Sequence, residues 1–108
     1  MLIDSNPVFR GACRALLMTE GVDVVAACAP DYGAIDVVRR LGPQVVLAEV
    51  GDGVLGEQIA SLICSLPDPP VVLLVSTHDH PDRAAAVRAD GYLAKADICA
   101  EAIAHALP

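Results

Sequence analysis

The chain has 108 residues, enough for one domain with its own core; 55% are apolar, with no Trp, one Phe and two Tyr, so that core is aliphatic. Fourteen acidic against seven basic side chains leave a net charge of −7, which argues against a nucleic-acid grip by this domain itself. No apolar run approaches the ~18 residues of a membrane span, and the start, MLIDSNP, lacks the basic flank and apolar core of a signal peptide, so a cytoplasmic protein is expected.

Leu2-Ile3 reads as the stub of a strand that stops at Asp4. Asn6 then suits a helix cap and Pro7 the first helical position. Phe9, Ala12, Cys13, Leu16 and Leu17 recur at helical spacing and predict one apolar face, with Gly21 closing the helix. A β-rich strand is expected over 22–29, then a turn at Pro30-Asp31-Tyr32-Gly33. A second helix over 34–41 points Ile35, Val38 and Leu41 inward and places Arg39-Arg40 near its end, where cations suit the dipole. Gly42-Pro43 breaks it.

A third strand is expected over 44–50, with a continuous apolar run from Val45 to Ala48 as in a strand covered on both faces. A third helix fits 55–66, with Ile59, Leu62, Ile63 and Leu66 buried, and Pro67, Pro69 and Pro70 end it. The strand 71–76, VVLLVS, is the most apolar. A polar loop, THDHPD, leads into a short fourth helix over 81–89. The fifth strand, 91–94, ends at Lys95, and Asp97 is placed to cap a last helix through Leu107. Cys13, Cys28, Cys64 and Cys99 are widely spaced with no C-x-x-C pair, which makes them buried free thiols rather than zinc ligands or a redox pair.

Strand–helix alternation, repeated five times, predicts a single α/β domain over 1–108: a doubly wound parallel sheet with helices on both faces. Working groups in such sheets lie beyond the C-terminal ends of the strands. Here those ends carry Asp4 and Ser5, Glu49, Ser76 and Lys95. Two carboxylates, two hydroxyls and an ammonium therefore share one edge, and Glu49 is expected to pair with Lys95.

Four stretches, in order and at near-normal spacing, carry a family resemblance: LIDSNPVFRGACRALL, GPQVVLAEV, VVLLVSTHD and DGYLAKAD. The chain resembles the receiver domains of two-component response regulators, in particular the LuxR/NarL-like class. The resemblance implies a flavodoxin-like (CheY-like) three-layer α/β/α fold with strand order 2-1-3-4-5. It also implies signal transduction through a phosphorelay. A histidine kinase passes a phosphoryl group to an Asp, with Mg²⁺ held by carboxylates, and the signal reaches transcription through a separate DNA-binding output domain, of which this chain would be the N-terminal part. On this chain the phosphoacceptor position falls on Glu49, the acidic pocket on Asp4 and Ser5, and the switch positions on Ser76, Tyr92 and Lys95. Asp4 is the remaining candidate metal ligand.

The departures from the family pattern concern the chemistry. Glu49 stands where an Asp is usual, pushing its carboxylate outward by ~1 Å, an offset that can cost on the order of 10²-fold in a positioning-dependent transfer. Ser5 replaces the second acid of the usual pair and removes an anionic oxygen from any Mg²⁺ site, weakening it. The loop Gly51-Asp52-Gly53-Val54 is short by about two residues, and the fourth-helix region by about three, nearly one turn. The expectation is a non-enzymatic, phosphorylation-independent receiver that acts by protein contact or homodimer formation. The faces implied by the resemblance are the fourth helix, fifth strand and last helix, or the first and last helices. Ala100, Ala104 and Ala106 would permit close helix contact. Two alternatives stand beside it: a conventional phosphoacceptor receiver, and a small-ligand binder, although Ser5-Asn6-Pro7 lacks the glycines of a phosphate loop. Asp52 reads as a turn residue or a displaced acceptor, and His78, Asp79 and His80 as a solvated loop or a metal cluster.

Overall fold

The computed structural model describes residues 1–51, 55–76 and 87–107. Five strands, β1 (Leu2–Ile3), β2 (Ala27–Cys28), β3 (Val45–Glu49), β4 (Val71–Ser76) and β5 (Gly91–Ala94), form one sheet in the order β2-β1-β3-β4-β5, with every pairing parallel. The described helices are α1 (Pro7–Thr19), α2 (Gly33–Leu41), α3 (Leu55–Cys64) and α4 (Ala100–Ala106). This is the expected flavodoxin-like arrangement.

Alternation along the strands explains the three layers. Ile3, Val46, Ala48, Val72 and Leu74 face one way and pack with Ile35 and Val38 of α2 and Ile59, Ala60 and Ile63 of α3. Leu2, Leu47, Leu73 and Val75 face the other way and pack with Cys13 and Leu17 of α1 and with Ile98 and Ile103 at α4. Both faces are covered, which is why β3 and β4 read as unbroken apolar runs.

Several boundaries differ from expectation. The strand predicted over 22–29 contributes only Ala27–Cys28 to the sheet. Its partner β1 is itself two residues long, and the ladder closes with Leu2 N–H on the Ala26 carbonyl and Asp4 N–H on the Cys28 carbonyl, each at 3.0 Å. Val24 is buried in the α1-side core without joining the ladder. The buried stripe of α1 is Phe9, Cys13 and Leu17, an i, i+4, i+8 row; Ala12 and Leu16 lie off it and are exposed. Leu41 and Leu62 are likewise exposed, each turned away from the row that its helix presents to the sheet. α3 ends at Cys64, before Leu66, which packs against the core from beyond the helix.

The helix expected over 81–89 falls mostly outside the described residues. Val87 and Arg88 lie in a turn, Arg88 in the left-handed region at φ 59°. Asp97 does not cap the last helix. The chain leaves β5 through a 3-10 turn, Lys95–Asp97, and buries Ile98. The cap of α4 is Cys99, whose Sγ accepts from the Ala102 N–H at 3.4 Å.

A side chain from α1's end completes that cap: Glu20 Oε1 accepts the Ala100 N–H at 2.8 Å. α4 is only seven residues long, too short to hold itself together by propensity. Beneath it lies an apolar cleft of about 430 Å³ walled by Leu17, Val24, Leu47 and Ile103. A Glu20→Ala variant is therefore expected to lose about 0.5–1 kcal/mol, the worth of an anionic cap at a helix start. Amide exchange at Ala100 should accelerate while exchange in β3 and β4 changes little; unchanged Ala100 exchange would dismiss Glu20 as a cap.

Candidate functional site

The site is assembled by three chain segments leaving the sheet at one edge. β1 releases Asp4, β3 ends on Glu49, and β5 is followed directly by Lys95. β1 and β3 are neighbours, so Asp4 and Glu49 come out side by side. β4 lies between β3 and β5, and the long lysine stem reaches across its end. Lys95 Nζ stands 3.0 Å from Asp4 Oδ2 and 3.2 Å from Glu49 Oε1. The three side chains are only 15%, 5% and 16% exposed, respectively, so this is a shielded cluster rather than a solvated surface pair.

Every oxygen of the two carboxylates is engaged. Asp4 Oδ1 accepts the Asn6 N–H at 2.8 Å. Glu49 Oε2 accepts twice from Ser5, from the backbone N–H at 2.8 Å and from the hydroxyl at 2.7 Å. The β1–α1 loop that delivers these donors is itself fixed. Asn6 Oδ1 caps α1 by accepting from Val8 N–H at 2.9 Å, and the Arg10 guanidinium donates to the Asp4 carbonyl at 2.6 Å. Lys95 Nζ also lies 4.2 Å from the centre of the Phe9 ring, a cation–π contact that covers the ammonium from the α1 side.

Electrostatics follow from this geometry. Burial pushes the Glu49 carboxyl upward, but the Ser5 backbone N–H, the Ser5 hydroxyl and the Lys95 ammonium together outweigh it, so its pKa lies below the ordinary glutamate value. Burial likewise works to lower Lys95, and the two carboxylates reverse the sign and raise it. Both groups are held in their charged forms.

The cluster contains Asp4, Ser5, Glu49 and Lys95 as expected. Ser76 is buried at the end of β4, in register with Ala94. Tyr92 is half-buried, in register with Leu74, and packs against the α2–α3 core. Asp52, His78, Asp79 and His80 lie outside the described residues. As for Asp4 as a metal ligand, its two carboxylate oxygens are taken by the Asn6 amide and the Lys95 ammonium. Among the described residues, no group of three or more His, Cys, Asp or Glu is placed to hold a metal ion. Two carboxylates with an ammonium between them, and a hydroxyl already donating to one of them, do not fit Mg²⁺, which demands near-octahedral oxygen ligation.

Sequence reasoning missed or misjudged four contributors. Ser5 was placed at the edge, but as the substitute for an acid and not as the residue that donates twice to Glu49. Phe9 and Arg10 registered as helix residues; their position one turn into α1 from the Asn6 cap was the signal that they face back toward the strand ends. Gly56 was not singled out at all. A Cβ there would lie 2.5 Å from the Glu49 carbonyl oxygen, so the first turn of α3 rests directly on the end of β3.

No family model matches the chain. It is 35% identical over 80 residues to the "Probable transcriptional regulatory protein NarL" of Mycobacterium tuberculosis, in strains CDC 1551 / Oshkosh and ATCC 25618 / H37Rv; the match takes in 72% of this chain and 37% of the relative. The chain thus spans well under half the length of the curated relatives it matches. Among solved structures, the signal receiver domain of NarL from Mycobacterium tuberculosis superposes with a TM-score of 0.76 at 29% identity, covering 90% of this chain and 82% of that one. The response regulator ChrA of a heme-sensing two-component system matches at 30% identity and a TM-score of 0.68, covering 98% of this chain and 52% of that one. A LuxR-family DNA-binding response regulator from Staphylococcus aureus, at 20% identity and a TM-score of 0.76 over 97% of this chain and 92% of that one, shares the fold.

Proposed function

This chain is a receiver domain of the response-regulator family, and on that premise we propose that it works as a phosphorylation-independent regulatory module rather than as a phosphoacceptor. The observation that carries this reading is the state of Glu49. At the acceptor position stands a carboxylate one carbon longer than the Asp used by the family, with one oxygen on Lys95 and the other on Ser5. A nucleophile needs an oxygen presented to the phosphorus, and transfer depends on placement within a fraction of an ångström. Here the lone pairs are directed into the protein. Where the family usually has a second acid that helps to hold Mg²⁺ stands Ser5, whose hydroxyl serves Glu49 instead, so the module works without the metal. The permanent charge of Glu49 beside Lys95 holds one conformation in place of a phosphorylation cycle.

Regulation then runs through protein contact. The partner is a second copy of the chain, through α1 and α4; on α1, Val8, Leu16 and Met18 are exposed apolar side chains. DNA is reached only through a separate output domain, and a histidine kinase is not required as a donor. The test is intact mass after incubation with acetyl phosphate and Mg²⁺, alongside a receiver that keeps the usual Asp. No gain of a phosphoryl group on this chain is expected while the control gains one. Mg²⁺-dependent phosphorylation here would overturn the reading.

A further inference from the structure

The donors around Glu49 come from segments other than its own strand, and those segments are held by bonds in which Glu49 takes no part. Ser5 belongs to a loop pinned at Asp4 N–H by the Cys28 carbonyl, at the Asp4 carbonyl by Arg10, and at Asn6 by its capping bonds and its amide's bond to Asp4. Lys95 is held by Asp4 Oδ2 and covered by Phe9. The Ser5 N–H and the Lys95 ammonium are thus preorganised, and with the Ser5 hydroxyl they meet two oxygens of a planar group at 2.8, 3.2 and 2.7 Å.

We propose that this edge is a carboxylate-binding site whose resident ligand is the side chain of Glu49, with Ser5 as the positioning residue that fixes the carboxylate. Once the Glu49 side chain is removed, the cradle retains one ammonium balanced by one carboxylate, Lys95 and Asp4. A monoanion with two coplanar oxygens restores the net charge that the cluster carries with Glu49 in place. A phosphate dianion would bring excess negative charge beside Asp4, which is only 3% exposed. The inference rests on the proposed function in one respect, that Glu49 is a bound group and not a nucleophile.

The experiment is chemical rescue. Glu49→Ala removes the carboxymethyl group that acetate replaces, and it leaves the Lys95–Asp4 ion pair in place. Titrating the variant with sodium acetate, against sodium chloride at matched ionic strength, should give a saturable shift of the Ser5 amide resonance and a raised thermal midpoint. The unsubstituted chain should show neither. Adding Ser5→Ala should weaken the acetate response by roughly tenfold, because it removes the hydroxyl donor while leaving the backbone N–H, and hydrogen bonds to a charged group are the stronger kind. Should Glu49→Ala fold poorly, its refolding yield as a function of acetate reads the same binding. The proposal is overturned by the lack of any saturable acetate effect, by inorganic phosphate outcompeting acetate, or by a response indifferent to Ser5→Ala. Acetyl phosphate labelling of the unsubstituted chain would refute the proposed function while leaving the rescue result to stand on its own, so the two failures are separable.

Discussion

Lys95→Met is expected to cost about 3–5 kcal/mol in urea unfolding at neutral pH, the range for removing one partner of a buried ion pair. Exposed pairs are worth ~0–1 kcal/mol, and the shielding of this cluster decides between the two figures: Asp4 is only 3% exposed. Met keeps an unbranched apolar stem, so the loss reports the charge, in its two ion pairs and over the Phe9 ring. Two carboxylates on adjacent strand ends would then face each other with no cation between them.

The pH dependence separates the variant from the parent by sign. In the parent, Glu49 is held below its ordinary pKa, so the unfolded chain binds more protons as pH falls through the carboxylate range. Its contribution is present above that range and is lost on acidification. Lys95 is raised, so its contribution is present below the ordinary lysine value and is lost as pH rises through the folded-state value. The parent therefore has a plateau between the two. In Lys95→Met one of the two carboxylates is driven to keep a proton in the folded state, so this cluster's contribution weakens as pH rises from acid to neutral. Urea midpoints across that interval test the point. A slope equal in sign and size to the parent's would show that the pair is not coupled through Lys95.

Gly56→Ala is expected to destabilise by about 2 kcal/mol. Alanine is the better helix former by ~1 kcal/mol, so propensity alone predicts a gain. Against it, the new methyl would sit 2.5 Å from the Glu49 carbonyl oxygen and 3.5 Å from its carbonyl carbon, both backbone atoms that no rotamer change can move. Overpacking of this kind costs ~1–3 kcal/mol, and the immobility of the neighbour puts it at the upper end. The displaced β3 end should also shift the Ser5 amide resonance, since Ser5 N–H is bonded to Glu49. A neutral or stabilised variant would mean that α3 yields freely and does not position the site.

How much of this was legible in the sequence depended on whether a residue's role is set locally. β3 and β4 were readable because burial on both faces writes itself as an unbroken aliphatic run. The pairing of Glu49 with Lys95 was readable because both terminate parallel strands at one edge. The strand over 22–29 was not, because β propensity reports that a segment suits a pleated surface, while its ladder length is set by β1. Leu16, Leu41 and Leu62 have the right spacing for burial but sit at the margin of their stripes, and periodicity does not give a stripe's width. Asp97 has the chemistry of a cap, yet burial of Ile98 delays the helix until Cys99. Ser5 was misjudged for a related reason. A sequence shows which group a position has lost relative to a pattern, and only coordinates show what the replacement reaches.

The two-residue length of β1 has a consequence for how such a chain can change over time. A strand that short, with neighbours on both sides, cannot be secured by its own rungs, and the ties running from Asp4, Ser5 and Arg10 act as its moorings. The polar cluster is thus architectural. Any change that shortens Glu49 takes away the acceptor of both Ser5 bonds and so slackens the flank of the sheet in the same step.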